Sequence, residues 1–337
     1  MNRHRRGLTQ VELLVIIGCC GVLLAGCLPA VQQARESARR SACKNNLKQF
    51  GLGLFIYHNT HNCWPPLRGG TAGGSQAEML SGVAFLLPYL DQQPLWNRID
   101  NAGGDQGGSP YLASFPNPAG ELEVFLCPSS TVPPPGTPPR TYVFSVGDTI
   151  NNNYTSINPS TGKLMRHRGP FSFGICSRMR DFKDGSSNTI SMAERDLGNP
   201  GNLSDVIGHA TALQTTIPAD CIATQTNGYY SSASNADRPG QFWAAGEPYY
   251  NSVAICLPPN NASCGSPGDF AMITVSSRHP GGAHVLFADA SVRFINESIN
   301  TGNLSIDATI TNSGGPSPYG VWGALGTMDG EEVVGEF

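Results

Sequence analysis

Charge is scarce in this chain. Only 14% of its 337 residues are Asp, Glu, Lys or Arg, while 40 Gly and 26 Pro make up roughly a fifth of it, which favours a turn-rich, strand-rich body over a helical bundle. Other absences narrow the function. There is no paired C-x-x-C spacing of a zinc site, no H-E-x-x-H or serine elbow for hydrolysis, and no Gly-rich loop leading into a helix to hold a phosphate. No internal repeat is visible. The sequence therefore predicts no cofactor, no metal and no enzyme, the residual enzymatic possibility being a His279/Asp289 pair.

The charge that is present is uneven. Residues 1–63 carry a net +6 and the remainder −10. A basic end suits anionic lipid headgroups, and an acidic, sparsely charged body suits an exported domain. Nucleic acid is not an expected partner. Ten cysteines are many for a chain of this length. Cys19, Cys20 and Cys27 lie in an apolar run and read as small hydrophobes. Cys43, Cys63, Cys127, Cys176, Cys221, Cys256 and Cys264 read as disulfide formers in an oxidising compartment, with at least one left over. Cys256 and Cys264, separated by a short Pro-Asn loop, are the expected local pair.

From Leu13 to Val31 no residue is charged, a length that can cross about 30 Å of hydrocarbon. The pattern then becomes amphipathic. Val31, Ala34, Ala38, Ala42, Leu47, Phe50, Leu54 and Tyr57 form one stripe, with Arg35, Arg39, Arg40, Lys44 and Lys48 on the other faces. The spacing predicts one helix from about Leu8 to His58, roughly 75 Å long, kinked at Pro29 and stopped before "WPP" at 64–66. Glu12 is the anomaly, because a carboxylate inside a membrane-length run is costly.

Three readings of this segment stand side by side. One is a plain signal anchor. Another is a lipoprotein signal ending in "LAGC", with Cys27 acylated. In the third, "RRGLTQVELL" at 5–14 resembles the prepilin cleavage and methylation motif, in which a peptidase cuts after the glycine on the cytoplasmic side and methylates the new amino group. The resemblance implies cleavage between Gly7 and Leu8, N-methylation of Leu8, and an assembly contact in which Glu12 neutralises the N-terminal ammonium of a neighbouring subunit. It also places a proline where Pro29 stands. Leu8 replaces the commoner phenylalanine.

In the body, "EVFLCPSS" (123–130), "RTYVFSVG" (140–147) and "GPFSFGI" (169–175) read as strands, and 101–120 and 131–140 as loops. In "DFKDGSSNTISMAE" (181–194) a turn at Asp184-Gly185 precedes the strand "TISMAE". A cation site of Asp181, Asp184 and Asn188 is the alternative there, without the regular spacing of a calcium loop. In "SSRHPGGAHVLFADASVRFINESI" (276–299) two apolar runs flank Ala288-Asp289-Ala290-Ser291, a hairpin pattern. Its His279, His284 and Asp289 are candidate metal ligands or a catalytic dyad.

Together "KNNLKQFGLGLFIYHN", "WPP", "FLCP", "DGSSNTI" and "RHPGGAHVLFADASVRF" resemble the H-x9-D-G prepilin-processing-associated family, also filed as a family-ten extracellular solute-binding group of unknown function. The residues carrying the resemblance are Asp184, Gly185, Asn188, His279, Pro280, Gly281, Gly282 and Asp289. Ala290 departs from it, standing where the motif has glycine, and a turn needing φ > 0 there costs alanine about 1 kcal/mol.

The expected class is α+β, a long pilin-like transmembrane and amphipathic helix packed on an antiparallel, β-rich, Gly/Pro-rich domain. Its parts are a leader over 1–7, a helix over 8–63 that crosses the membrane at about 11–31, and an extracytoplasmic domain over 64–337 with a polar insertion at about 198–266. The expected role is a membrane-anchored, pseudopilin-like structural or surface-display protein. Its partners would be a prepilin peptidase, membrane lipid and other N-terminal helices. It would sit in the inner membrane as a single-pass protein with a cytoplasmic N-terminus. The alternative is a solute- or glycan-binding module, which Trp64, Trp96, Trp243 and Trp322 converging on one pocket would favour.

Overall fold

In the computed structural model, residues 9–70, 79–100, 109–111, 115, 123–131, 139–150, 162, 165–199, 201–232, 234–309 and 315–335 are described, with side chains 21–26 excepted. Gly7 and Leu8, and most of the loops 101–120 and 131–140, lie outside them.

Helix α1 runs from Gln10 to His61, through Pro29. Its start is a capping box: the Glu12 amide donates to Thr9 Oγ1, and the Glu12 carboxylate accepts from the Thr9 amide at 2.8 Å. Its end is Asn62, left-handed at φ 56°, whose amide returns to the His58 carbonyl. A second helix, α2 (Gln93–Asp100), and a third, α3 (Pro218–Ile222), are short.

Five strands form the central sheet: β1 (Tyr142–Ser145), β2 (Ile190–Glu194), β3 (Ser252–Val253), β4 (Gly282–Phe287) and β5 (Val292–Asn296). Their order is β5-β4-β2-β1-β3. All neighbours are antiparallel except β1 and β3, which are parallel. Strands β1, β2 and β4 are buried along their whole length, because both faces are covered. On one face Tyr142, Phe144, Met192 and Leu286 share a core with Cys43, Leu47, Phe50 and Leu54 of α1. On the other, Val143, Ala193, Val285 and Phe287 meet Tyr249, Trp322 and Leu325.

Several expectations are corrected. The expected fold class does not stand: no helix of the described residues is long and apolar enough to cross a membrane. Nor is the body an antiparallel β-rich domain. The structure as a whole is mixed α/β, with 30% helix, most of it α1, against 15% strand, and the sheet of the body contains a parallel pair. The reason lies in the polar residues of its connections. Asn202, Asp205, Asn296, Asn300 and Asp307 each accept from a backbone amide two positions on, and such local bonds compete with strand ladders. "EVFLCPSS" holds a 3-10 turn (Glu123–Phe125) where a strand is expected, and "GPFSFGI" makes only isolated bridges. The 198–266 segment gives Trp243 and Tyr249 to the two cores, so it is integral to the body.

The helix stripe is also shifted. Val31, Ala34 and Ala38 are exposed, whereas Arg39 and Arg40, read as solvent-facing, touch the body. Cys256 and Cys264 are not paired. The disulfides are Cys43–Cys127 and Cys221–Cys264, while Cys256 is a free, fully buried thiol whose burial raises its pKa. Cys264 sits in a two-residue strand that bridges to Thr211, and it faces Cys221 of α3.

Candidate functional site

The His-Pro-Gly-Gly turn before β4 is the densest meeting of chemistry-bearing groups. Gly281 has φ 85° and Gly282 φ 159°. A Cβ on Gly282 would stand 1.9 Å from the Ile295 carbonyl oxygen of β5, so only glycine lets the hairpin partner approach. The turn delivers His279, itself buried, to the underside of α1.

Five segments converge there. Helix α1 supplies Glu36, Arg39, Arg40 and Cys43; the 123–130 segment supplies Cys127 and Ser129; β2 ends in Glu194; β4 carries His284 and β5 Phe294. His279 Nδ1 lies 2.6 Å from Glu36 Oε1, and its Nε2 lies 3.5 Å from Glu194 Oε1 and 3.6 Å from Cys127 Sγ. Glu194 Oε1 also meets His284 Nδ1 at 3.2 Å, and its second oxygen accepts the His284 amide at 2.7 Å. The two imidazoles are edge to face, centroids 5.1 Å apart. Above them Arg39 donates to Glu36 and Ser129, and Arg40 donates to the Pro280 carbonyl while its guanidinium stacks over Phe294 at 4.6 Å. The Cys43–Cys127 bridge closes the same contact covalently.

The electrostatics follow from this geometry. Burial opposes the charged imidazolium of His279, but the hydrogen bonds and charges of Glu194 and Glu36 outweigh it, and its pKa lies above the ordinary value. Burial likewise opposes the Glu194 carboxylate, yet His279 and His284 hold its pKa below the usual range. Glu36 is lowered too, with His279 and Arg39 overcoming its partial burial.

The residues singled out in the sequence are scattered. His279 and Asp289 lie at opposite ends of β4, roughly 20 Å apart by strand rise alone, so they form no dyad. Asp289 is exposed and accepts from the Ser291 amide in the turn. Asp184 receives the Gly330 and Glu331 amides and the Thr327 hydroxyl, which pins the C-terminal segment. Asp181 is taken by Arg166 and the Arg178 amide, and Asn188 donates to the Asp184 carbonyl. These three therefore make no oxygen-ligand site. Trp64, Trp243 and Trp322 are buried in separate surroundings, and Trp96 packs on Phe85, so no aromatic pocket gathers them. Glu36 and Glu194 were missed. The one available signal was a carboxylate closing the apolar strand "TISMAE".

One concave surface adjoins the cluster. Ser130, Thr131, Asn199, Asn202, Tyr229 and Arg278 are among the residues lining an open groove of about 990 Å³, in which Tyr229 is 55% exposed. Arg278 reaches it while paired with Asp196 and Asp205.

The family described as "Protein of unknown function (DUF1559)", SBP_bac_10, matches residues 32–302, from the middle of α1 to beyond the β4–β5 hairpin. The "RRGLTQVELL" stretch lies before that span. No curated protein and no solved structure matches this chain. The matched span covers most of its length and includes every residue of the cluster around His279, and on that basis the chain belongs to the DUF1559 family of proteins of unknown function.

Proposed function

We propose that the protein is a pseudopilin-like structural and surface-display subunit: a prepilin-type peptidase frees Leu8, which is N-methylated, and the first half of α1 then assembles with the arms of other copies at the membrane. The observation that carries this is the state of that arm. Val11, Leu14, Val15 and Ile17 are 59–69% exposed on one continuous helix, and a contiguous apolar surface of this kind marks an interaction site. Further along, α1 is clamped to the body by Cys43–Cys127 and the Glu36–His279 contact, which ties the arm to the body it would display. Two disulfides suit a body outside the cytoplasm.

Glu12 offers a clean test, since in the single chain it caps its own helix. Glutamine at that position keeps a capping box but removes the charge that would meet a neighbour's ammonium. The mature N-terminus would be read by mass spectrometry, and assembly by sedimentation of membrane-extracted wild-type, E12Q and E12A chains. N-methylated Leu8 with assembly lost in both variants is the expected result. Assembly intact in E12Q and impaired only in E12A would reduce Glu12 to a cap, and an unprocessed Met1 or a lipidated Cys27 would overturn the proposal.

A second reading rests on the groove. Its exposed Tyr229 ring, ringed by Asn199, Asn202 and Arg278, has the makings of a platform for a small polar solute or glycan. Saturable binding of soluble oligosaccharides, weakened at least tenfold in Y229A, would favour it.

A further inference from the structure

We propose that the Cys43–Cys127 clasp is also a metal site: in its dithiol state Cys43, Cys127, Glu194 and His279 bind one zinc-class divalent ion. All four residues are buried, and their ligand atoms lie within 4.8 Å of one another. The set is two thiolates, an imidazole and a carboxylate, the donors that zinc takes in tetrahedral sites. Bond lengths of about 2.0–2.3 Å to such donors imply ligand–ligand edges of about 3.3–3.8 Å in a tetrahedron. His279 Nε2 already stands 3.5 Å from Glu194 Oε1 and 3.6 Å from Cys127 Sγ, so two edges are in place before any ion arrives. Of the other four edges, the Cys43–Cys127 edge must widen once its sulfurs are no longer bonded, and the remaining three already lie within 4.8 Å.

The surroundings hold the ligands in the orientation such a site needs. His279 turns Nδ1 to Glu36 at 2.6 Å, which leaves Nε2 facing the centre; a carboxylate behind a ligating histidine is the common arrangement that fixes tautomer and ring plane. Glu194 is oriented by the His284 amide on its other oxygen. A small crevice lined by Cys127, Ser130, Glu194 and Arg278 adjoins the centre, and Ser130 and Arg278 also line the open groove beside it.

The chemistry balances in two steps. A dithiol reductant gives two electrons and two protons to the cystine, breaking its S–S bond and itself becoming a disulfide. The ion then displaces the two thiol protons, and any proton on His279 Nε2, to water, and forms bonds to both sulfurs, His279 Nε2 and a Glu194 carboxylate oxygen. Helix α1 and the body stay joined in both states, through a covalent bridge in one and an ion in the other. Such exchange suits a chain that meets a reducing compartment before an oxidising one.

The test uses the full chain, reduced under inert gas and freed of reductant, titrated with cobalt(II) and then zinc(II). Thiolate-to-cobalt charge transfer with tetrahedral visible bands, at one ion per chain and displaced by zinc, is expected. The oxidised chain should show none. E36Q, which keeps all four ligands, should weaken binding by about 10–100-fold, and E194Q and H279A by more. The C63S/C176S variant, which removes two other thiols, should bind as wild type. Circular dichroism of each oxidised variant verifies its fold. Absence of the signal, a signal indifferent to H279A and E36Q or lost in C63S/C176S, or a reduced chain that unfolds and is not refolded by metal would each overturn the proposal.

Discussion

Ala290 and Gly51 set up a quantitative experiment on how α1 sits against the hairpin. Ala290 adopts φ 63°, the left-handed region that costs an alanine about 1–2 kcal/mol. A Cβ on Gly51 would lie 2.9 Å from Ala290 Cβ, 3.1 Å from Leu286 Cδ1 and 3.3 Å from Ala290 Cα. Gly51→Ala therefore gains about 1 kcal/mol of helix propensity and loses about 2–3 kcal/mol to overpacking. The net expectation is a destabilisation of about 1–2 kcal/mol. Ala290→Gly relieves the strain but loosens the unfolded chain by about 0.4–1 kcal/mol, so alone it should stabilise by no more than about 1.5 kcal/mol. In the double variant the closest clash is gone, and Gly51→Ala should cost under about 0.5 kcal/mol. The predicted coupling is about 0.5–2 kcal/mol, against the roughly 0.3–0.5 kcal/mol within which distant sites add. Urea unfolding of the oxidised chains, followed through the buried Trp64, Trp243 and Trp322, measures it. Additive effects would mean that α1 and the turn do not touch in solution.

Two further outcomes test the site's framework. Gly282→Ala should cost more than about 3 kcal/mol, because its Cβ meets the Ile295 oxygen at 1.9 Å, whereas Gly281→Ala, with φ 85° and open space around it, should cost only about 1 kcal/mol; equal thermal shifts would refute the close-approach account. In the oxidised chain, His279 has a raised pKa, so its contribution is complete below its ordinary 6.5 and fades as pH rises through the higher folded value, while Glu194 and Glu36, with lowered values, contribute above 4.5 and lose that contribution as pH falls through their folded values. The cluster should therefore stabilise most between about 4.5 and 6.5, and H279Q should flatten the alkaline limb of midpoint against pH; an unchanged limb would sink the assignment.

What could be read from the sequence divides by range. The hairpin around Ala288–Ser291, the strand "TISMAE" and the helix from Gln10 to His61 were legible because each is written in local periodicity and turn chemistry. The expected membrane-crossing, β-rich class fails on a different count. Hydropathy and Gly/Pro content report what a segment tolerates, but not whether its amides pair with another strand or with the Asn or Asp two residues back, and here many choose the latter.

The same limit explains the site. His279 stood out as a histidine in a Gly-rich turn, and Asp289 drew attention by sharing its motif. Yet the rise of the six-residue strand β4 between them keeps His279 and Asp289 apart. The groups that give His279 its character, Glu36 and Glu194, are 243 and 85 positions away. Arg40 belongs to the same lesson. Counting helix faces placed it in solvent, since a guanidinium is a poor core residue, but its stem and plane can cover Phe294 while its N–H groups cap the Pro280 carbonyl. A half-buried clasp of charged side chains is invisible to hydrophobic periodicity for this reason. Each member looks like a surface residue alone, and only the meeting of helix, turn and strand ends makes burial tolerable. The covalent pair Cys43–Cys127, across 84 positions, lies in the midst of those charges, so the strongest constraint on the angle of α1 was also the one least readable from spacing.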